Sequence, residues 1–203
     1  MKQKVCAMYK LKILFIFFFF STSSIRAQLT KNNWLVGGNG SFSRSNNLIG
    51  APNEYKSTAI VLSPNIGYFF VDKLATGLRV TTTFIKNNPS NTSVGVFSFG
   101  SRTEFFNLGP FVRYYFLNTE KRINFFTEGL YQYQLRRDIN INSESKESAN
   151  VFIVSCGPVF YLNNIVGIEF TIGYSTQKYT NSLLRTNTIQ TAIGLQIHLE
   201  KEK

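Results

Sequence analysis

Few side chains in this sequence could carry a reaction. His198 is its only histidine, and Cys6 and Cys156 are its only cysteines. Hydrolysis or acyl transfer needs a base beside a nucleophile or an activated water. A lone histidine near the end of the chain leaves no such pairing, so His198 reads as a polar residue bonded to a neighbour. Glu54, Asp138, Glu144 and Glu147 are interleaved with Asn, Ser and Lys, as solvated loop residues are. No group of residues has metal-ligand spacing, and no helix follows Gly37-Gly38 or Asn39-Gly40 to make a phosphate loop of them. The sequence therefore implies no catalytic residue, no cofactor and no metal. The chemistry that remains is ionic. Arg79, Arg113, Glu128 and Glu169 are charges set within otherwise uncharged stretches.

The N-terminus sets the compartment. Lys2, Lys4, Lys10 and Lys12 precede the apolar run Ile13 to Phe20, and a short polar stretch then ends at Ala27. That order of charge, apolar run and small residue is the plan of a secretory signal peptide cleaved after Ala27. The run is far shorter than the roughly 20 residues of a membrane-spanning helix. The expected organisation is a signal peptide over 1–27 and one domain over 28–203. The leader holds five of the 22 Lys and Arg and none of the 11 acids, so the mature charge is 17 minus 11, or +6, against +11 for the whole chain. The mature cations are scattered without a stripe or block, which argues against a nucleic-acid surface. Cys156 is alone in the mature chain and has no intramolecular partner.

The elements that must position these residues read as strands. After Gln28 the apolar residues recur with period two. Trp34, Val36, Gly38, Gly40 and Phe42 alternate with Leu35, Gly37, Asn39 and Ser41. The same alternation runs through Ala59–Tyr68, Gly77–Phe84, Phe106–Phe116, Phe125–Arg136, Phe152–Tyr161, Gly167–Tyr174 and Ile189–Leu199, making eight candidate strands. Val71 to Lys73, Asn118 to Arg122 and Asn163-Asn164 read as tight turns. Ser43 to Ser57, Lys86 to Arg102, Arg137 to Asn150 and Gln177 to Thr186 read as four long polar loops. Alternating short and long connections are the pattern of a membrane barrel with periplasmic turns and outer loops.

The two faces point the same way. One bears aromatics, Ile, Leu, Val and Thr, and its opposite bears Gly, Ser, Thr, Asn and Gln with an occasional charge. Bulk on the greasy face and small residues on the polar face suit a narrow polar interior and a lipid-facing outside. The fold class expected is all-β, an eight-stranded antiparallel up-and-down transmembrane β-barrel. On this parity Cys156 faces lipid among Phe152, Val154, Pro158 and Phe160. Arg79, Arg113, Glu128 and Glu169 all face inward, about four to six residues from a tight turn and so at similar depth. Unpaired charges in a narrow lumen are costly, which favours ion pairs that plug it. A charged eyelet selecting ions is the alternative, although an eight-stranded interior is just wide enough for side chains to fill.

Three segments repeat: Ser63-Pro64-Asn65-Ile66-Gly67-Tyr68-Phe69, Gly109-Pro110-Phe111-Val112-Arg113-Tyr114-Tyr115-Phe116 and Gly157-Pro158-Val159-Phe160-Tyr161-Leu162. Each closes an even-numbered strand before a tight turn. They resemble the strand ends of the outer-membrane β-barrel domain family, the small eight-stranded porin-like proteins of Gram-negative bacteria, and the resemblance covers 28–203. It implies a cell outer-membrane location with both mature termini periplasmic. It further implies contact with outer-membrane lipid and lipopolysaccharide, insertion by the barrel-assembly machinery, and a monomer with a structural or surface-interaction role toward an extracellular ligand. Leu199 stands where such barrels commonly end on an aromatic residue that the assembly machinery reads. A narrow pore for ions or small solutes is the second reading, and a lipid-modifying enzyme the third.

Overall fold

The computed structural model describes residues 29–48, 54–89, 101–118, 121–140, 143–180 and 185–200. The expected signal peptide lies outside them. The described chain holds eight strands: β1 Trp34–Leu48, β2 Glu54–Val71, β3 Leu74–Pro89, β4 Ser101–Tyr115, β5 Ile123–Asn140, β6 Ser143–Tyr161, β7 Val166–Tyr179 and β8 Arg185–Leu199. Each pairs antiparallel with the next, and β8 returns to β1, so the sheet is a closed up-and-down barrel. Closure leaves no edge at the turn end, where Trp34 pairs with Tyr68 on one side and Leu199 on the other.

The alternation places the faces. Phe106, Leu108, Val112, Tyr114, Phe125, Tyr131, Tyr133, Leu135, Phe152, Ile172 and Leu195 are all exposed on the outside, whereas Arg113, Glu128, Gln132, Gln134 and Gln196 are buried inside. This is the inverse of a soluble barrel. On β5 the outward apolar series runs from Phe125 to Leu135. Ten residues of tilted strand rise about 25 Å, the height of a membrane barrel's apolar band. Edge-on aromatic pairs sit near the turn end of this wall: Trp34 with Tyr68 and Tyr114 with Phe116, at centroid separations of 5.2 and 5.3 Å.

Turn chemistry follows from the residues present. Lys73 adopts a positive φ of 67° in the β2–β3 turn. Asn163 Oδ1 accepts from the amides of Ile165 and Val166 at 2.8 and 2.7 Å, an Asx turn that reverses β6 into β7. Buried Asn124 holds the β4–β5 connection by accepting from the amide of Leu117 and donating to its carbonyl.

The Ser/Gly-Pro repeats have a shared structural effect. Each interrupts the ladder to the following strand: β2–β3 pairing skips Ser63-Pro64, β4–β5 skips Gly109-Pro110, and β6–β7 skips Gly157-Pro158. Proline cannot donate to the ladder. The glycine lets the backbones close up, since a Cβ at Gly109 would collide with the carbonyl of Tyr131, and one at Gly157 with that of Phe170. Each pinch lies within a few residues of a lumen charge along the paired strands: Asn65 pairs with Arg79, Arg79 with Gly109, and Val159 with Glu169.

Two sequence expectations need correcting. Of the four stretches read as long loops, Ser43 to Ser57 and Arg137 to Asn150 are largely strand: β5 and β6 continue to Asn140 and from Ser143, so only 141–142 separate them. The other connections at that end span 49–53, 90–100 and 180–184. Alternation fades there because these extensions rise beyond the apolar band and both faces meet water. Cross-strand ion pairs hold them instead. Arg137 donates to Glu144 at 2.9 Å, a bond that holds the Glu144 carboxyl below its ordinary range, and Arg136 reaches Glu147 on β6 at 3.6 Å. The second correction concerns the lumen, which is not uniformly small and polar. At its turn end Leu35, Phe69, Ala75, Phe111, Tyr115, Phe126, Leu130, Val159 and Tyr161 form a buried apolar core. Leu29, ahead of β1, joins it fully buried, and its carbonyl accepts from the amide of Lys73.

Candidate functional site: the lumen

From the turn end upward the lumen has three levels. The lowest is the apolar core. His198 lies in it, fully buried, with ring centroids 5.8 Å from Phe69, 6.0 Å from Tyr115 and 5.6 Å from Tyr161. Those neighbours are aromatic, and Cys156 is on the outer surface of β6, so the two residues lie on opposite sides of the wall.

The middle level is ionic. Strands β3, β4, β5 and β7 bring Arg79, Arg113, Glu128 and Glu169 together. Arg79 grips Glu128 with both terminal nitrogens, at 2.5 and 2.9 Å. Arg113 donates to the same carboxylate from Nε at 2.9 Å and reaches across the lumen to Glu169 with Nη1 at 2.6 Å. Gln196 on β8 completes the set by donating to Glu169 at 2.7 Å. Arg113, Glu128 and Glu169 are 2–3% exposed, so side chains fill the cross-section at this height. The guanidinium of Arg113 also stacks over Phe126 at 4.3 Å, and that of Arg79 over Phe111 at 5.4 Å. The ionic level thus rests on the apolar one through cation–π contacts. Two cations and two anions leave the layer formally neutral.

The upper level is a vestibule of about 330 Å³, walled by hydroxyls and amides such as Asn39, Ser41, Thr81 and Gln190 and by apolar Val61, Leu130, Val151 and Ile153. Its floor is Arg79, whose backbone carbonyl accepts from Gln132 at 3.2 Å. Ser63 and Thr81 bond across β2 and β3 at 3.0 Å, and Gln177 bonds to Gln134 at 2.6 Å. Among the described residues, no group of His, Cys, Asp or Glu is arranged to hold a metal ion.

Sequence reasoning missed the aromatic lower plug, although the signal was present. Where the chain carries adjacent aromatics, Phe69-Phe70, Tyr114-Tyr115-Phe116, Phe125-Phe126 and Phe160-Tyr161, the alternation collapses because both faces are apolar at that height. The part played by Gln196 and Leu29 has no local signature.

No family model matches the sequence, and no curated protein matches it. Among solved structures, the chain is similar to the N-terminal β-barrel domain of Pseudomonas aeruginosa OprF, at 9% identity over 83% of this chain and 98% of that one, with a TM-score of 0.49. It is also similar to OprG of the same organism, at 10% identity over 87% and 100% of the two chains, with a TM-score of 0.48. Neisserial surface protein A aligns at 12% identity over 82% and 96%, with a TM-score of 0.47. The closed register and inverted polarity of the chain itself make it an eight-stranded antiparallel β-barrel of the transmembrane type.

Proposed function

We propose that this protein is an outer-membrane barrel, closed along its axis, that serves the cell envelope as a structural and surface-interacting element. The carrying observation is the double plug: a neutral four-residue ion cluster, 2–3% exposed at Arg113, Glu128 and Glu169, stacked on a buried aromatic core. Such a cross-section leaves no path for a hydrated ion. The short turns and both ends of the described chain then lie toward the periplasm, and the polar extensions of β5 and β6 project outward to meet an extracellular partner. Outer-leaflet lipid and lipopolysaccharide surround the apolar band, and assembly follows export behind a cleaved signal. The narrow-pore reading is tested directly. The refolded protein in a planar bilayer is expected to give no discrete conductance steps, and steady steps from the wild type would replace the closed-barrel reading with the pore.

A further inference from the structure

The barrel is not equally closed all the way up. Seven of its eight seams are paired along most of their length, but β1 and β8 pair only from Trp34–Leu199 to Asn39–Gly194. Beyond that point the remaining nine residues of each strand, 40–48 of β1 and 185–193 of β8, have no partner across this seam among the described residues. They pair only on their other sides, with β2 and β7. Gly38, with a φ of 152°, lies one residue before the pairing stops. Five residues of tilted strand rise about 13 Å, so the seam parts near the middle of the apolar band. Phe42, Ile189 and Ile193, 69%, 75% and 60% exposed, flank the gap on the outside.

Open strand edges are not tolerated in hydrocarbon unless they line a cavity that satisfies their backbone groups. The vestibule is such a cavity, and it reaches the gap. Its wall includes Asn39 and Ser41 on β1 and Thr188, Gln190 and Ala192 on β8, together with Thr191, which belongs to the outward face of β8. The cavity is thus lined from both sides of the unpaired seam. The ion cluster closes the floor, so a solute in the vestibule meets a dead end along the axis and an opening to the side.

We propose that the upper β1–β8 seam is a lateral mouth, through which an amphiphile with an uncharged polar head passes between the vestibule and the outer leaflet. The amphiphile follows from the lining, in which hydroxyls and amides without a carboxylate share the wall with Val61, Leu130, Val151 and Ile153, above Arg79 paired to Glu128. The apolar tail follows from the lips of the gap, Phe42, Ile189 and Ile193. The free N–H and C=O groups of the two edges supply hydrogen bonds to the head in transit. The mouth closes by zipping. Continuing the existing register would set Gly40 opposite Ile193, Ser43 opposite Gln190 and Leu48 opposite Arg185, using both free segments completely.

The test uses the chain with Cys156→Ser, refolded into phosphatidylcholine vesicles with a monoacylglycerol bearing a photoreactive diazirine beside its ester. Labelled residues are mapped by mass spectrometry. Label is expected at inward Ser41 and Gln190 as well as at outward wall residues such as Leu135. Adding Ser43→Cys and Gln190→Cys and oxidising the pair should abolish the inward label at Ser41, leave the wall label unchanged, and restore Ser41 labelling on reduction. Wall labelling without label at Ser41 overturns the proposal, as does Ser41 labelling that survives the formed disulfide. Failure of the pair to oxidise also overturns it, because the closing register would then be out of reach. Absence of wall label refutes the transmembrane reading itself, and the mouth with it.

Discussion

At the scale of single residues, the four lumen charges are unequal. Glu128 is held from two sides, by Arg79 and by Arg113, whereas among the described residues Glu169 has Arg113 as its one cationic partner, with Gln196 beside it. Removing Arg113 strands Glu169 in a closed interior, and breaking a buried pair in this way costs about 3–5 kcal/mol. Removing Arg79 leaves Glu128 still paired. Arg113→Ala should therefore lower the urea midpoint of the refolded barrel well beyond Arg79→Ala. Adding Glu169→Gln to Arg113→Ala should recover part of the loss. Full additivity in that double-mutant cycle would mean the two side chains are not coupled. Cys156 offers a check on register. It lies opposite Thr127 and Ile172 on the outer face, surrounded by apolar side chains. In vesicles it should resist a membrane-impermeant maleimide and react once the barrel is unfolded in urea. Rapid labelling of the folded protein would put β6 out of register.

At the scale of strands, the repeated Ser/Gly-Pro pinches decide how neighbouring strands seat above the ion cluster. Gly109 has no room for a side chain, because an added Cβ meets backbone atoms of Tyr131 and Gln132 rather than a movable side chain. Gly129 on the next strand faces outward instead, and an added Cβ there meets nothing within 4 Å. Gly109→Ala should lower the yield of compact barrel, read as the fraction that migrates fast on a gel before heating. Gly129→Ala should leave that fraction unchanged. Equal behaviour of the two variants would show that the pinch is dispensable. The polar extensions obey different rules from the wall beneath them. With no lipid on one face, they are held by ladder bonds, and solvent-exposed pairs such as Arg137–Glu144 add little energy.

At the scale of the molecule, the barrel has a sealed end and an open end. Following the register from Trp34 through Tyr68, Thr76, Val112, Gly129, Val154, Tyr174 and Ile189 returns to β1 at Arg44 when the β8 register is continued. That is 44 minus 34, a stagger of ten residues, and it sets the tilt of the strands. The tilt and the short turns give the molecule a single polarity across the membrane. An epitope inserted between Asn140 and Ser143, at the tip of the β5–β6 hairpin, should bind antibody on intact cells. One inserted at 119–120, between β4 and β5, should bind only after permeabilisation. The reverse pattern would invert the proposed orientation.

Strand number, the facing of every strand, the tight turns and the inward parity of Arg79, Arg113, Glu128 and Glu169 were legible in the sequence. Each depends on local alternation that a lipid outside and a wet interior impose on a strand. The outer strand ends were not legible, because alternation marks the hydrocarbon band and stops where both faces meet water. The aromatic plug was only half visible, since Phe69-Phe70 and Phe125-Phe126 blur the two faces without saying that one of them closes the lumen. The tertiary structure alone decided which charges touch, that Gln196 and Leu29 join the plug, and that β1 and β8 part at Asn39. These are consequences of closure. They depend on the register between the first strand and the last, separated by most of the chain, and on how side chains from opposite walls share one narrow cross-section.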